Sequence, residues 1–170
     1  DVLILDGPLI PHWIGKLELS EENISFSRID ADTLDNLIQK SEEIPSKLSK
    51  DDEEKLKPVF ENVVSKEKFN VKFESMSEDE APIIITQPEF IRRMMEQQKL
   101  GGGGFYGAFP ETYNLIVNAN HEKVVGLLNK DEDEKSISIK QLTDLALLSQ
   151  GMLKGEALSN FIERTIEQVG

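Results

Sequence analysis

The residues with the clearest chemical potential are four consecutive glycines, Gly101–Gly104, followed by Phe105, Tyr106, Gly107, Ala108 and Phe109. Glycine-rich loops can bare backbone N–H groups to a phosphate. That chemistry requires a strand before the loop, a helix after it and a closing Gly-Lys-Ser/Thr. This run instead follows a helical pattern and opens onto aromatic residues, so a flexible connector is expected. Carboxylates are plentiful, but pairs such as Glu53 and Glu54, or Asp79 and Glu80, sit in charged segments without histidine or aromatic neighbours. They have no surroundings that would split their pKa values for acid–base work. His12 and His121 stand far apart without a ligand-like pattern, and there is no cysteine. Zinc and thiolate chemistry are therefore not expected, and no catalytic residue is assigned.

A different kind of chemistry, adaptable apolar contact, is suggested by the segment from Glu89 to Leu100. Pro88 precedes it, as at the first turn of a helix. Phe90, Ile91, Met94, Met95 and Leu100 spread over much of its circumference, with Arg92 and Arg93 between them. Packing on a sheet is expected for Phe90 or Ile91. Adjacent Met94 and Met95 cannot both face inward, and methionine suits surfaces that accept varied apolar partners. The sole tryptophan, Trp13, lies beside prolines on a short helical pattern; core packing is its default role and partner binding the alternative.

The overall balance narrows the partners. Nineteen basic residues against 32 acidic ones give a net charge of −13 over 170 residues. That opposes phosphate-driven nucleic-acid binding and attraction to anionic membrane surfaces. No apolar run approaches the roughly 20 residues needed to span a bilayer. No leader pattern precedes Val2, and with no cysteine a reducing, cytoplasmic setting is expected. The chain lacks an initiator Met and opens in what reads as mid-strand, so a piece of a longer protein is expected.

The elements that must position these groups run as follows. Val2–Leu5 is an unbroken apolar run, expected as a doubly buried strand. Ile10, Trp13, Ile14 and Leu17 are spaced as a helix, and Ile24–Ile29 alternates as a strand. Residues 31–39 read as a helix. After a charged linker containing Pro45, a helix is expected from Asp51 to about Val64, capped by Ser49 or Asp51, with Leu56, Val59, Phe60 and Val63 buried. Pro58 predicts a kink or a later start. Two strands follow, Phe69–Phe73 and Ile83–Ile85, joined by an acidic turn. After the glycine run, Tyr113–Val117 is a third strand. Asn120 is expected to cap a helix carrying Val124, Val125, Leu127 and Leu128, and Asp131–Lys135 to form a charged loop.

The chain closes on two helices. Leu158, Phe161, Ile162, Thr165, Ile166 and Val169 form one stripe of a 3.6-residue helix. The preceding helix carries Ile139, Leu142, Leu145, Ala146, Leu147, Leu148 and Met152, and little of its circumference is polar after Leu145. Gly151 and Gly155 bracket the turn as left-handed helix ends. Such a hairpin either folds back on its own domain or meets a second copy in a four-helix dimer interface, and the pattern leaves both open. The fold class read from the chain is α+β: a three-stranded sheet with helices and a C-terminal hairpin (46–170), preceded by the tail of an α/β unit (1–45).

Four segments in this order resemble the ninety-kilodalton heat-shock protein chaperones, nearest their bacterial branch. They are residues 2–14 (Val-Leu-Ile-Leu-Asp-Gly-Pro-Leu-Ile-Pro-His-Trp-Ile), Ala-Pro-Ile-Ile-Ile-Thr (81–86), Tyr-Asn-Leu-Ile-Val-Asn-Ala-Asn-His (113–121) and Asp-Leu-Ala-Leu-Leu-Ser-Gln-Gly (144–151). The resemblance covers essentially the whole chain. It implies the end of a middle domain (1–45) and a C-terminal dimerisation domain (46–170). The hairpin then forms a homodimer interface through Leu142, Leu145, Leu148, Met152, Leu158, Phe161, Ile162, Thr165 and Ile166. It further implies that partly unfolded client proteins bind at Trp13, Ile91, Met94, Met95 and Leu100, with Phe105 and Tyr106 in the following loop. ATP and magnesium belong to the full-length family member; this piece is expected to bind no cofactor and to hydrolyse no ATP. The glycine run departs from the family pattern, and the acidic tail of eukaryotic cytosolic members is lacking. The rival reading is an acidic scaffold domain whose apolar helices are all internal.

Overall fold

The computed structural model of the chain describes residues 2–7, 9–29, 31–33, 44–100 and 111–169. Among these residues the architecture is α+β, with six α-helices and a three-stranded mixed sheet. Helix α1 spans Ile10–Ser20 and α2 Lys50–Val63; β1 is Phe69–Glu74, β2 Ile83–Thr86 and β3 Tyr113–Asn118. Helix α3 (Glu89–Leu100) lies between β2 and β3. A single turn, α4 (Glu122–Val125), runs into a 3-10 segment, and the terminal pair is α5 (Glu132–Ser149) and α6 (Glu156–Val169).

Strand β3 is central. It pairs parallel with β1, Phe69 opposite Tyr113 through Glu74 opposite Asn118, and antiparallel with β2, Ile83 opposite Val117. Leu115, Ile116 and Val117 are all buried, as a strand covered on both faces requires. On one face, α2 contributes Leu56 and Phe60 and α5 contributes Ile139 and Ala146 to a core with Val71, Ile83, Ile85, Leu115, Val117, Val124 and Leu127. Phe60 meets Phe73 edge to face with ring centroids 5.7 Å apart, the geometry that aromatic quadrupoles favour.

Helix α2 starts where a capping box allows it. The Ser49 hydroxyl accepts from the Asp52 N–H at 3.2 Å, and the Asp52 carboxylate accepts from the Ser49 N–H at 3.3 Å. The helix runs unbroken through Pro58. Pro58 and Glu54 are both exposed, so the carbonyl deprived of its donor faces water, where the loss is smallest.

Several expectations are corrected. Residues 2–6 and 24–28 form no strand. A strand needs a neighbour for its backbone groups, none pairs with these segments among the described residues, and Val2, Leu3 and Ile4 are exposed. The α4 cap is His121, whose Nδ1 accepts from the Lys123 N–H at 3.1 Å, and not Asn120. Asn120 is buried instead. Its Nδ2 donates to the Met76 carbonyl (3.0 Å) and its Oδ1 accepts from the Lys47 N–H (2.7 Å), while Asn118 Nδ2 donates to the Ser77 carbonyl (2.8 Å). These two asparagines supply the hydrogen bonds that the turns around the sheet lack in their own backbone. Asp131–Lys135 is the capped first turn of α5 rather than a loop: the Asp131 carboxylate accepts from the Glu134 N–H at 2.9 Å. Acidic residues suit a helix N-terminus, where the dipole is positive. The helix expected over 31–39 lies largely outside the described residues.

Candidate interaction surfaces

Two surfaces carry the residues singled out in the sequence. The first is the α5–α6 hairpin. Gly151 and Gly155 adopt φ of +65° and +59°, the left-handed conformation that lets glycine end one helix and admit the next. The hairpin is fastened by polar side chains. Asp144, only 1% exposed, accepts from Lys140 Nζ at 2.5 Å and from Arg164 of α6. One helical turn toward the α5 start, Gln141 Nε2 donates to Thr165 Oγ1 at 2.9 Å, and that hydroxyl donates to the Phe161 carbonyl at 2.8 Å. Placing a carboxylate there is costly unless it is paired and hydrogen-bonded, and Asp144 has both cations.

This fastening decides which apolar residues face inward. Phe161 is buried within its own chain, and Leu142 and Met152 pack against the core. Leu158 and Thr165 are half-buried. Leu145 (48%), Leu148, Ile162 (47%) and Ile166 (67%) remain exposed. So does Ile137, eight residues before Leu145, which the sequence reading did not single out. The spacing of Leu145 with Leu148, and of Ile162 with Ile166, gives each helix an outward apolar stripe.

The second surface is the corner where α1 meets α3. Trp13 is 46% exposed and packs against Phe26, ring centroids 6.5 Å apart and tilted. Ile91, Met94 and Met95 are each half-buried. Gln87 Nε2 approaches the Met95 sulfur at 3.5 Å. Phe90, expected on the sheet, is exposed instead (69%). Arg92, two residues on and so on the opposite side of the helix, takes the inward position, its guanidinium donating to the Gln87 carbonyl at 3.3 Å and lying 3.5 Å from Glu89. The side chain of Leu100, and all of Gly101–Gly104, Phe105 and Tyr106, lie outside the described residues.

Arg93 joins α3 to α1 and to the segment that follows it. Its guanidinium forks onto the Glu18 carboxylate of α1 (2.6 and 3.1 Å), donates to the Phe26 carbonyl (2.7 Å) and reaches Glu89 one turn back (2.9 Å). Glu18 also accepts the Phe26 N–H at 2.7 Å. The Arg93 fork, helped by the Phe26 N–H, holds the Glu18 carboxyl below the usual carboxylate range, and the two carboxylates hold Arg93 the more firmly protonated. The arginine was visible in the sequence; its partner, 75 residues away, was not.

Among the described residues, no group of three or more His, Asp or Glu side chains is arranged to hold a metal ion. Among the same residues, no helix is long and apolar enough to cross a membrane.

No family model matches the chain. Curated relatives do. The chaperone protein HtpG of Porphyromonas gingivalis (strain ATCC 33277) is 39% identical over 145 residues, which cover 83% of this chain and 21% of that protein. The HtpG proteins of Bacteroides fragilis (strain 638R) and Bacteroides thetaiotaomicron are each 29% identical over 238 aligned positions, covering 99% of this chain and 35% of theirs. Those alignments are longer than the chain, so the relatives carry residues within the matched span that this chain lacks. The chain spans between about a fifth and about a third of the length of these relatives.

Proposed function

Since the chain is homologous to the HtpG chaperones over 83–99% of its length, we propose that it supplies the dimerisation and client-binding part of an ATP-dependent molecular chaperone. The observation that carries this reading is that similarity. The two exposed apolar surfaces agree with it. On this reading residues 1–45 close a middle domain and 46–170 form the C-terminal dimerisation domain.

Dimerisation uses the stripes of Leu145, Leu148, Ile162 and Ile166. A second copy laid across them about a two-fold axis covers the same four residues twice in an isologous contact. Phe161 contributes indirectly, by seating α6. Joining two chains at this end keeps the rest of each at high effective concentration to the other.

Client binding uses the α1–α3 corner. Trp13 offers a rigid amphipathic ring, Phe90 a second exposed ring, and Met94 and Met95 flexible side chains that can repack around different sequences. A partly unfolded protein, with apolar side chains still in water, matches such a surface without any one motif. The net charge of −13 favours clients that are not themselves strongly acidic.

The test is capture of a reduced, carboxymethylated protein that cannot refold. Met94→Ser combined with Met95→Ser weakens capture by about tenfold or more if half of each side chain is buried on binding, since a buried methionine is worth about 1.5–3 kcal/mol. Unchanged affinity in a variant with wild-type helix content removes α3 from the client surface.

A further inference from the structure

Helix α1 buries none of its residues. Leu9, Trp13, Leu19, Ile24 and Ile29 around it are exposed. Apolar packing in this segment is partial: Ile10, Ile14, Leu17 and Phe26 are only half-buried. The polar contacts around Arg93 are of a different quality. Its fork meets both oxygens of Glu18, its second amino group also caps the Phe26 carbonyl, and its Nε is held by Glu89 of its own helix. Four acceptors from three elements converge on one planar group, and the Phe26 N–H returns a bond to the same Glu18 carboxylate. A planar fork with fixed donor directions specifies orientation as well as distance.

We infer that Arg93 is a positioning residue whose fork onto Glu18 and Phe26 seats α1 against α3, so that Trp13 and the methionine face are presented as one surface and not as two tethered ones. The first half concerns the geometry alone; the second rests on the client-binding reading above. Arg93 need touch no client. It acts through the aromatic pair, because Phe26 packs against Trp13 and Arg93 holds the backbone of Phe26. Freed from the fork, α1 keeps its own helical hydrogen bonds but loses its fixed bearing on α3.

The absence of cysteine allows a clean measurement. Lys16→Cys on α1 and Lys72→Cys on β1, both exposed, carry nitroxide labels, and labelled chain is diluted with excess unlabelled chain so that only distances within one chain are read by pulsed electron resonance. The wild-type arginine gives one narrow distance distribution. Arg93→Gln broadens it, and Arg93→Lys, which keeps the charge but not the fork, gives an intermediate width. An Arg93→Gln distribution indistinguishable from the wild type overturns the inference. Capture of the carboxymethylated probe is then measured on the same variants. A roughly tenfold loss for Arg93→Gln supports shared presentation. A broadened distribution with unchanged capture overturns it, and the Met94→Ser/Met95→Ser variant then shows where the fault lies. If that variant loses capture, the client-binding reading stands without the positioning role. If it does not, the client-binding reading falls and the latch alone remains.

Discussion

Replacing Ile162 and Ile166 with serine should dissociate the proposed dimer while leaving each chain folded. The size of the effect follows from their surroundings. The two side chains leave 47% and 67% of their surface in water in the single chain, together a little more than one whole isoleucine. Burying such a side chain fully is worth about 1.5–3 kcal/mol. A two-fold interface counts each residue twice, so the pair contributes about 3–6 kcal/mol to association. At about 1.4 kcal/mol per tenfold, the dimer Kd rises by roughly 10²–10⁴. Sedimentation equilibrium over a wide dilution series reads this directly, as a fall from twice 19.2 kDa to 19.2 kDa at higher concentration than in the wild type. The thermal midpoint of the monomer should barely move, because exposed substitutions change stability by about 0.5 kcal/mol or less. Phe161 is the wrong residue for this purpose: it is buried in its own chain, and a polar replacement there would unseat α6. A wild-type chain that stays monomeric at every concentration, or a Kd unmoved by the double substitution, would refute the interface and return the hairpin to its own domain.

Two further outcomes follow from the charged clusters. The Glu18 carboxyl should titrate below the ordinary glutamate range in a carbon-detected NMR titration, and Arg93→Gln should move it back up. Because the folded value is depressed, the stability that this pairing lends is fully present above the unfolded glutamate pKa and is lost as pH falls through the lowered folded value. Asp144→Ala should destabilise the chain by about 1–3 kcal/mol in urea, the range for a lost charge-assisted hydrogen bond. The larger penalty of a stranded buried charge should not appear, because Lys140 and Arg164 are 40% and 31% exposed and can turn to water.

The parts of this structure that were legible in the sequence are those fixed by local physics. The stripe of α6, the glycine-bracketed turn and the three strands follow from periodicity and from the conformations glycine can reach. Helix α2 was legible except that Pro58 interrupts nothing. The failures share a cause. Val2–Leu5 and Ile24–Ile29 have the composition of strands, but a strand exists only beside a partner. Asp131–Lys135 was expected as a charged loop, but three acidic residues in a first turn also suit a helix dipole. Phe90 and Arg92 exchanged their expected places because the outcome depends on contacts to Gln87 and Glu89, not on hydrophobicity. Arg93 with Glu18, and Asp144 with Arg164, join residues far apart in the chain, and no spacing rule foretells such pairs.

The order of the sheet bears on how the chain is made. In β1-β3-β2 the two strands synthesised first are not neighbours; among the described residues each pairs with the third alone. A chain emerging from its N-terminus therefore exposes Phe69, Val71 and Phe73, and then Ile83 and Ile85, with no ladder available to either strand until Tyr113–Asn118 has emerged. The methionine segment, Glu89–Leu100, is synthesised during that interval, before there is a sheet to receive it. A truncation between Thr86 and Tyr113 thus leaves two orphan strands, the kind of surface on which nascent chains aggregate.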